Sequence, residues 1–349
     1  MWPANKKVRV MVVDDSLLAR TLITQGLAKN PRIEIVGTGL NAQDALGKVA
    51  QLKPDVITSD IEMPGMSGLD FLKQLLPRYP LPVILVSSLN LRVFDALSAG
   101  AVDFVRKPEP GKNDAFIAAL TQKVLASAGA KVRRTSPALT QTGSGGVGPA
   151  GLLGAKPGLD RLIIGLGAST GGTEATLEVL KRLPADIPGM LIVQHMPTGF
   201  TKMYAERLDR LCQMEVREAK DGDEVRRGLA LLAPADNQMR IVRSGVKYKV
   251  SIQPGEKVSG HRPSVDALFF SMAEQVRCKM IGIIMTGMGR DGADGLLKMR
   301  KAGAYTIGQD KESSVVYGMP MVAYNIGAVQ IQSSCENIAG ILLRQLQKW

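Results

Sequence analysis

The chain has 349 residues, 45% of them hydrophobic and 22% charged, enough for two domains that each bury a core. No apolar run reaches the roughly 20 residues of a membrane span. The formal charge of +12 is spread out: residues 1–126 carry 15 basic and 12 acidic side chains, 127–160 carry 4 and 1, and 161–349 carry 25 and 19. With no basic run beyond Arg133-Arg134 and few aromatics, a direct nucleic-acid interface is not expected.

Met1–Lys7 lacks the apolar core of a signal peptide, so a cytoplasmic location is expected. From residue 8 onward, apolar strands alternate with amphipathic stretches. Strands are expected at 8–13, 33–37, 56–59, 83–86 and 103–106, and helices near 17–29, 41–51, 68–76, 92–99 and 113–125. Five such units give a doubly wound parallel sheet. Asp14-Asp15 ends the first strand, Asp60 the third and Ser87 the fourth, and Lys107-Pro108 follows the fifth. Clustered carboxylates repel, and a hard cation such as Mg²⁺ relieves them.

The set resembles a response-regulator receiver domain, with the fold (βα)5, over residues 1–126. The resemblance implies that Asp60 accepts a phosphoryl group from a histidine kinase. It implies Asp15 as a direct Mg²⁺ ligand, Asp14 behind it, and the Glu62 carbonyl completing the protein ligands. Ser87 and Lys107 would bind phosphoryl oxygens, and Phe104 would be the switch aromatic.

Residues 127–159 change character. Ala, Gly, Ser, Thr and Pro dominate, and Gly143–Pro149 has no periodicity, so a flexible linker is expected there. The run Lys131–Arg134 reads as solvated charge.

The second domain, 160–349, opens with an uncharged run from Leu162 that ends in Gly165-Leu166-Gly167-Ala168-Ser169-Thr170-Gly171-Gly172 and passes into a helical stretch. Three readings compete for this turn. It is a packing turn, or a dinucleotide fingerprint, or a G-x-S-x-G nucleophile elbow. The dinucleotide reading fails twice: Thr170 stands where a third glycine belongs, and the next strand leads to Gln194-His195 rather than an acidic residue. Under the elbow reading, Ser169 lies at a strand's carboxyl end, and the N–H groups of residues 169–172 face an anion. The chain has two histidines. His195 follows the apolar strand 191–194, while His261 lies in the polar loop Gly260–Ser264 and is the alternative base. A third apolar strand, Lys279–Met285, leads through Thr286-Gly287-Met288-Gly289-Arg290 to Asp291. Ser, His and Asp thus arrive at one sheet edge, and such triads are recognised by geometry rather than order.

The segments GASTGG, QHMPTGFTKMYAERLD, HRPSVDALFFS and MTGMGRDGADGL resemble the catalytic domain of chemotaxis protein-glutamate methylesterases, the CheB family. The resemblance implies Ser169 as nucleophile, His195 as base, Asp291 as its orienting partner and the Met288 N–H as an oxyanion donor. Thr170, in the turn after the nucleophile, is added to that edge on geometry. It implies hydrolysis of glutamate methyl esters on chemoreceptor cytoplasmic helices, deamidation of glutamines, and no cofactor for the esterase step. It further implies a receiver that covers the cleft until Asp60 is phosphorylated.

The rest of this half is expected as an α/β domain with a mainly parallel sheet. Short strands and loops fill 215–253, a helix starts at Ser264, and strands follow at 304–308 and 327–331 around a Tyr317–Pro320 loop before a terminal helix. Two segments depart from the family pattern, 232–238 and 321–326. Cys212, Cys278 and Cys335 are odd in number and far apart, which argues for reduced thiols and against zinc.

Overall fold

The computed structural model describes residues 2, 3, 5–88, 92–130, 132 and 159–349. The chain divides into two compact units, Met1–Gly143 and Ser144–Trp349. Most of the expected linker, residues 133–158, lies outside the described residues.

The first unit runs β1 (Val8–Val13), α1 (Leu17–Ala28), β2 (Ile33–Gly39), α2 (Ala42–Leu52), β3 (Val56–Asp60), α3 (Gly68–Leu75), β4 (Val83–Ser87), α4 (Arg92–Ser98), β5 (Asp103–Arg106), α5 (Asn113–Ser127). Its strands pair in the order β2-β1-β3-β4-β5, all parallel. The central strands are apolar runs buried on both faces, as a sheet covered by helices on each side requires. Helices begin where a side chain caps them: Ser16, Asn41 and Ser67 each accept the N–H three residues on. The order reverses between β1 and β3, and Val13 pairs with Ser59. That register brings Asp14 and Asp60 to the crevice at the switch point.

The second unit runs β6 (Ile163–Ala168), α6 (Gly172–Leu180), β7 (Gly189–Gln194), α7 (Phe200–Leu211), β8 (Glu215–Glu218), β9 (Leu229–Leu232), β10 (Gln238–Ser244), β11 (Lys247–Gln253), α8 (Val265–Gln275), β12 (Met280–Ile284), α9 (Ala293–Lys301), β13 (Tyr305–Gln309), α10 (Met319–Asn325), β14 (Ile331–Ser333), α11 (Cys335–Lys348). Seven strands pair in parallel as β14-β13-β12-β6-β7-β9-β8, and β10-β11 form a separate antiparallel hairpin. Here too the order reverses, with β6 flanked by β12 and β7. Gly167 pairs with Ile284 on one side and Val193 on the other, so the three strand ends are level.

Gly165 and Gly167 are packing residues. A Cβ at 167 would lie 2.2 Å from Val265, and one at 165 would lie 2.6 Å from the Met272 sulfur. Their absence of side chains lets α8 press onto β6.

Two expectations are corrected. The Tyr317–Pro320 segment does not remain a loop, because Met319-Pro320 forms the first turn of α10, where a proline's missing N–H costs nothing. The strand expected at 327–331 begins only at Ile331. Residues 327 and 328 instead close α10: Gly327 N–H donates to Tyr324 O (3.0 Å) and Ala328 N–H to Ala323 O (2.8 Å). This is the paired bonding of a Schellman cap, whose apolar follow-on residues imitate a strand in sequence. Among the described residues no helix is long and apolar enough to cross a membrane.

Candidate functional site

Each unit gathers chemistry at the carboxyl edge of its sheet. In the first, Asp14, Asp15 and Asp60 bring carboxylate oxygens within 4.8 Å of one another. Lys107 Nζ lies 2.5 Å from Asp60 Oδ2 and 3.6 Å from Asp14 Oδ2. The Asp14 Oδ1 accepts the Ser16 N–H at 2.9 Å, but its buried Oδ2 has no hydrogen-bond partner. Burial pushes the Asp14 carboxyl above its ordinary value; Lys107 opposes the rise, and the charges of Asp60 and Asp15 add to it. Burial also works against the Lys107 charge, yet its bond to Asp60 and the nearby carboxylates win and hold its ammonium above the usual value.

The other expected residues lie in β4, in β5 and just after β3. Ser87 is buried and its Oγ donates to Ser88 O at 2.8 Å. The Glu62 N–H donates to Asp60 Oδ1 at 3.2 Å, and its side chain is exposed. Phe104 is buried, edge-on to Phe94 with ring centroids 6.4 Å apart. The orphaned Asp14 oxygen among three acids fits a small divalent cation, whose oxygen preference matches this donor set.

In the second unit, Ser169 follows β6 on a turn that the protein itself holds. Its N–H donates to Thr286 O (3.0 Å), and its carbonyl accepts the Gly172 N–H (2.7 Å) and the buried Gln194 Nε2 (2.9 Å). The expectation that all N–H groups of 169–172 face an anion is therefore too broad. Those of Ser169 and Gly172 are used internally. Among the described residues no protein acceptor pairs with the N–H of Gly171 or of Met288. Thr170 is buried, and its carbonyl accepts the Thr286 hydroxyl at 2.9 Å.

The turn after β12 reaches Ser169 because residue 287 is glycine. A Cβ there would sit 2.7 Å from Ser169 Cβ and 2.3 Å from the Met319 sulfur. That contact brings Met288, the next residue, beside the Ser169 turn.

His195 follows β7, and its N–H donates to Ala168 O at 3.1 Å. Its Nε2 lies 2.8 Å from Asp291 Oδ2. An ionised carboxylate only accepts, so Nε2 carries the proton and Nδ1 is left with a lone pair. That Nδ1 is buried and has no partner. Asp291 is 1% exposed and collects three further donors: Ser264 Oγ (2.7 Å), Val265 N–H (2.8 Å) and Asp266 N–H (3.0 Å). These belong to the cap and first turn of α8, where the free N–H groups favour an anion. Burial alone would push the Asp291 carboxyl up. The hydrogen bond and charge of His195, with the α8 donors, outweigh it and hold the carboxyl below its ordinary value.

Ser169 lies on the turn after β6, where the elbow reading expects it, and Gly165 and Gly167 have the role that the packing reading gives them. The structure joins His195 to Asp291 by a hydrogen bond; none joins Ser169 Oγ to His195 among the described residues. Sequence reasoning missed Gln194, Thr286 and Ser264. Only Ser264 carried a sequence signal, a cap residue before an apolar helix. It also set the two histidines against each other as alternatives, whereas their rings stack with centroids 3.9 Å apart.

Known proteins resemble the chain along its whole length. Residues 164–342 match the family model described as CheB methylesterase, and residues 10–132 match the response regulator receiver domain. A protein-glutamate methylesterase/protein-glutamine glutaminase of Syntrophomonas wolfei is 46% identical over 346 residues, spanning 98% of this chain and 99% of that one. One of Sulfurimonas denitrificans is 46% identical across 95% of this chain and 96% of its own length. The crystal structure of the Thermotoga maritima CheB methylesterase catalytic domain aligns with a TM-score of 0.51 and 35% identity, covering 52% of this chain and 97% of that one.

Proposed function

The chain belongs to the receiver-linked protein-glutamate methylesterases of the CheB family, and from that premise we propose that it is a phosphorylation-controlled hydrolase of methylated chemoreceptors in the cytoplasm. It removes methyl groups from glutamate side chains and deamidates glutamines. The observation that carries the reading is the His195–Asp291 pair, with a protonated Nε2 and a partnerless Nδ1, at the same sheet edge as Ser169.

Ser169 Oγ attacks the γ-carbonyl carbon of the ester while His195 Nδ1 takes its proton. The resulting oxyanion is held by backbone N–H donors, that of Met288 and, in the turn after Ser169, that of Gly171, while Thr170 lines the same edge. Asp291 stabilises the imidazolium and keeps the proton of Nε2 in place. When the tetrahedral adduct collapses, methanol leaves with the proton from Nδ1, and a glutamyl ester of Ser169 remains. Water, deprotonated by His195, then attacks that ester and frees the glutamate carboxylate and the serine. With glutamine, ammonia is the first leaving group and the rest is unchanged. No step uses a metal.

In the first unit, Asp60 is the residue that takes the phosphoryl group from a histidine kinase. Asp14, Asp15, Asp60 and the Glu62 carbonyl would hold Mg²⁺, which neutralises the acidic cluster and the phosphoryl oxygens. Lys107 and Ser87 would bind the same oxygens. The boundaries 1–126, 127–159 and 160–349 place the regulator, tether and enzyme.

Methanol release from methylated receptor membranes tests this directly. Ser169→Ala should lose about 10⁶-fold in turnover, as for a serine nucleophile elsewhere. A small-molecule phosphodonor should accelerate the parent chain and leave Asp60→Asn unchanged. Removing residues 1–150 should raise the basal rate. Full activity in Ser169→Ala would refute the mechanism, and an Asp60→Asn chain that still responds would refute the control.

A further inference from the structure

The mechanism leaves one residue at the esterase edge without a task. His261 lies flat on His195, with ring centroids 3.9 Å apart and planes within 10°. Rings in that arrangement present their nitrogens side by side, so neither donates to the other. His261 therefore does not relay a proton through His195.

The His195 ring has a mechanical problem that this stack answers. Among the described residues its only hydrogen bond is the one from Nε2 to Asp291, and the terminal torsion of an imidazole is broad. A single bond at one corner lets the opposite corner swing, and that corner is Nδ1. A flat ring against its face stops the tilt.

His261 is itself held firmly. Its N–H donates to Val258 O at 2.9 Å, and its carbonyl accepts Val258 N–H at 3.1 Å. The buried Gln238 reaches the same loop: Nε2 donates to His261 O (3.0 Å), while Oε1 accepts the Ser264 N–H (2.9 Å). Ser259 Oγ, at the loop's tip, donates to the buried Asp266 carboxylate at 2.6 Å. The segment that presents the His261 ring is thus the one whose Ser264 hydroxyl grips Asp291.

We infer that His261 is a positioning residue for this reaction: the 258–264 loop grips Asp291 with Ser264 and, with the His261 ring, holds the His195 imidazole at the tilt that aims Nδ1 at the nucleophile. The inference rests on the Ser169–His195–Asp291 reading. What His261 supplies is a flat face, and any planar ring of similar size should serve.

The test uses the full chain with saturating phosphodonor and methylated receptor. His261→Ala should lower kcat by about 10²-fold, the scale of a misplaced catalytic group, with KM unchanged. His261→Phe should recover most of that loss. His195→Ala is the reference for the underlying reading: if it keeps full activity, the triad itself fails. With His195→Ala inactive, a wild-type kcat in His261→Ala would overturn the inference. So would a defect confined to KM, which marks a substrate contact. His261→Phe that folds, judged by its melting temperature, yet is as slow as His195→Ala would overturn it too, since the imidazole would then be doing chemistry. If His261→Ala does not fold, the Phe variant alone decides.

Discussion

Two buried aspartates end up in similar places with their carboxyls shifted in opposite directions. Asp14 and Asp291 both follow a parallel strand, at the carboxyl edge of a sheet where the strand order reverses. Asp291 collects four donors, from His195, the Ser264 hydroxyl and two N–H groups of α8, and its carboxyl is held below the ordinary value. Asp14 shares its crevice with Asp15 and Asp60, keeps one oxygen without a hydrogen bond, and is pushed up. Burial penalises both charges alike. The difference lies in who neutralises them. Around Asp291 the protein provides the donors, which favour the charged form. Around Asp14 it provides two more acids and leaves one oxygen without a donor, the arrangement expected of the proposed Mg²⁺ and phosphoryl site.

The sharpest way to break the comparison is Asp291→Asn. The change removes the charge that fixes the His195 tautomer and sets an amide N–H against donors. Turnover of methylated receptor should fall by about 10⁴-fold, as for the equivalent change in a serine protease, while Asp294→Asn, on the exposed side of α9, should leave it near the parent value. Equal, small effects would make Asp291 only a helix-capping residue.

A smaller effect is expected from Gly287→Ala, which leaves both carboxylates alone. Its Cβ would need to displace Ser169 or Met319. We expect kcat to fall by about 10²-fold and stability to drop by about 1–3 kcal/mol, the cost of an overpacked site. An active, equally stable variant would mean that the Gly287 turn does not set the position of Ser169.

The smallest effect belongs to the other side of the comparison. Because the folded Asp14 carboxyl lies above its unfolded value of 3.8, the folded first unit binds a proton more readily than the unfolded chain. Its stability should fall as pH rises from 3.8 through the folded pKa, and stay lower above it. Asp291 works in the other sense. Its contribution is complete above 3.8 and is lost only as acid takes the pH down through its folded pKa. Mg²⁺ at neutral pH should stabilise the first unit by about 2.7 kcal/mol at a hundred times its dissociation constant and so raise its melting temperature, and that gain should shrink as the pH is lowered. Melting curves with Mg²⁺ or a chelator check this, and no difference between them would leave the cluster without its cation.

Much of this architecture was legible beforehand. The central strands of both sheets are largely apolar runs whose ends are marked by acids, serine, histidine or glycine, and a strand buried on both faces has little freedom to read otherwise. What misled was local. Ala328 and Val329 imitate a strand because the apolar residues after a Schellman cap pack into a core much as strand residues do. Met319-Pro320 reads as a loop in sequence, although proline also starts helices.

Residue order along the chain determined which side chains reach a sheet edge: Ser169, His195 and Asp291 in one unit, Asp14, Asp60, Ser87 and Lys107 in the other. A strand's direction and length settle where its last residue emerges, and both are written in its apolar run. Tertiary structure alone decided what each of those groups meets there. The stacking of His261 on His195, the grip of Ser264 and α8 on Asp291, the hold of Gln194 on the Ser169 carbonyl and the orphaned oxygen of Asp14 all join residues far apart in sequence or loops of no regular period. Such partners are selected by distances of a few ångströms, which local propensity and hydrophobic pattern do not encode.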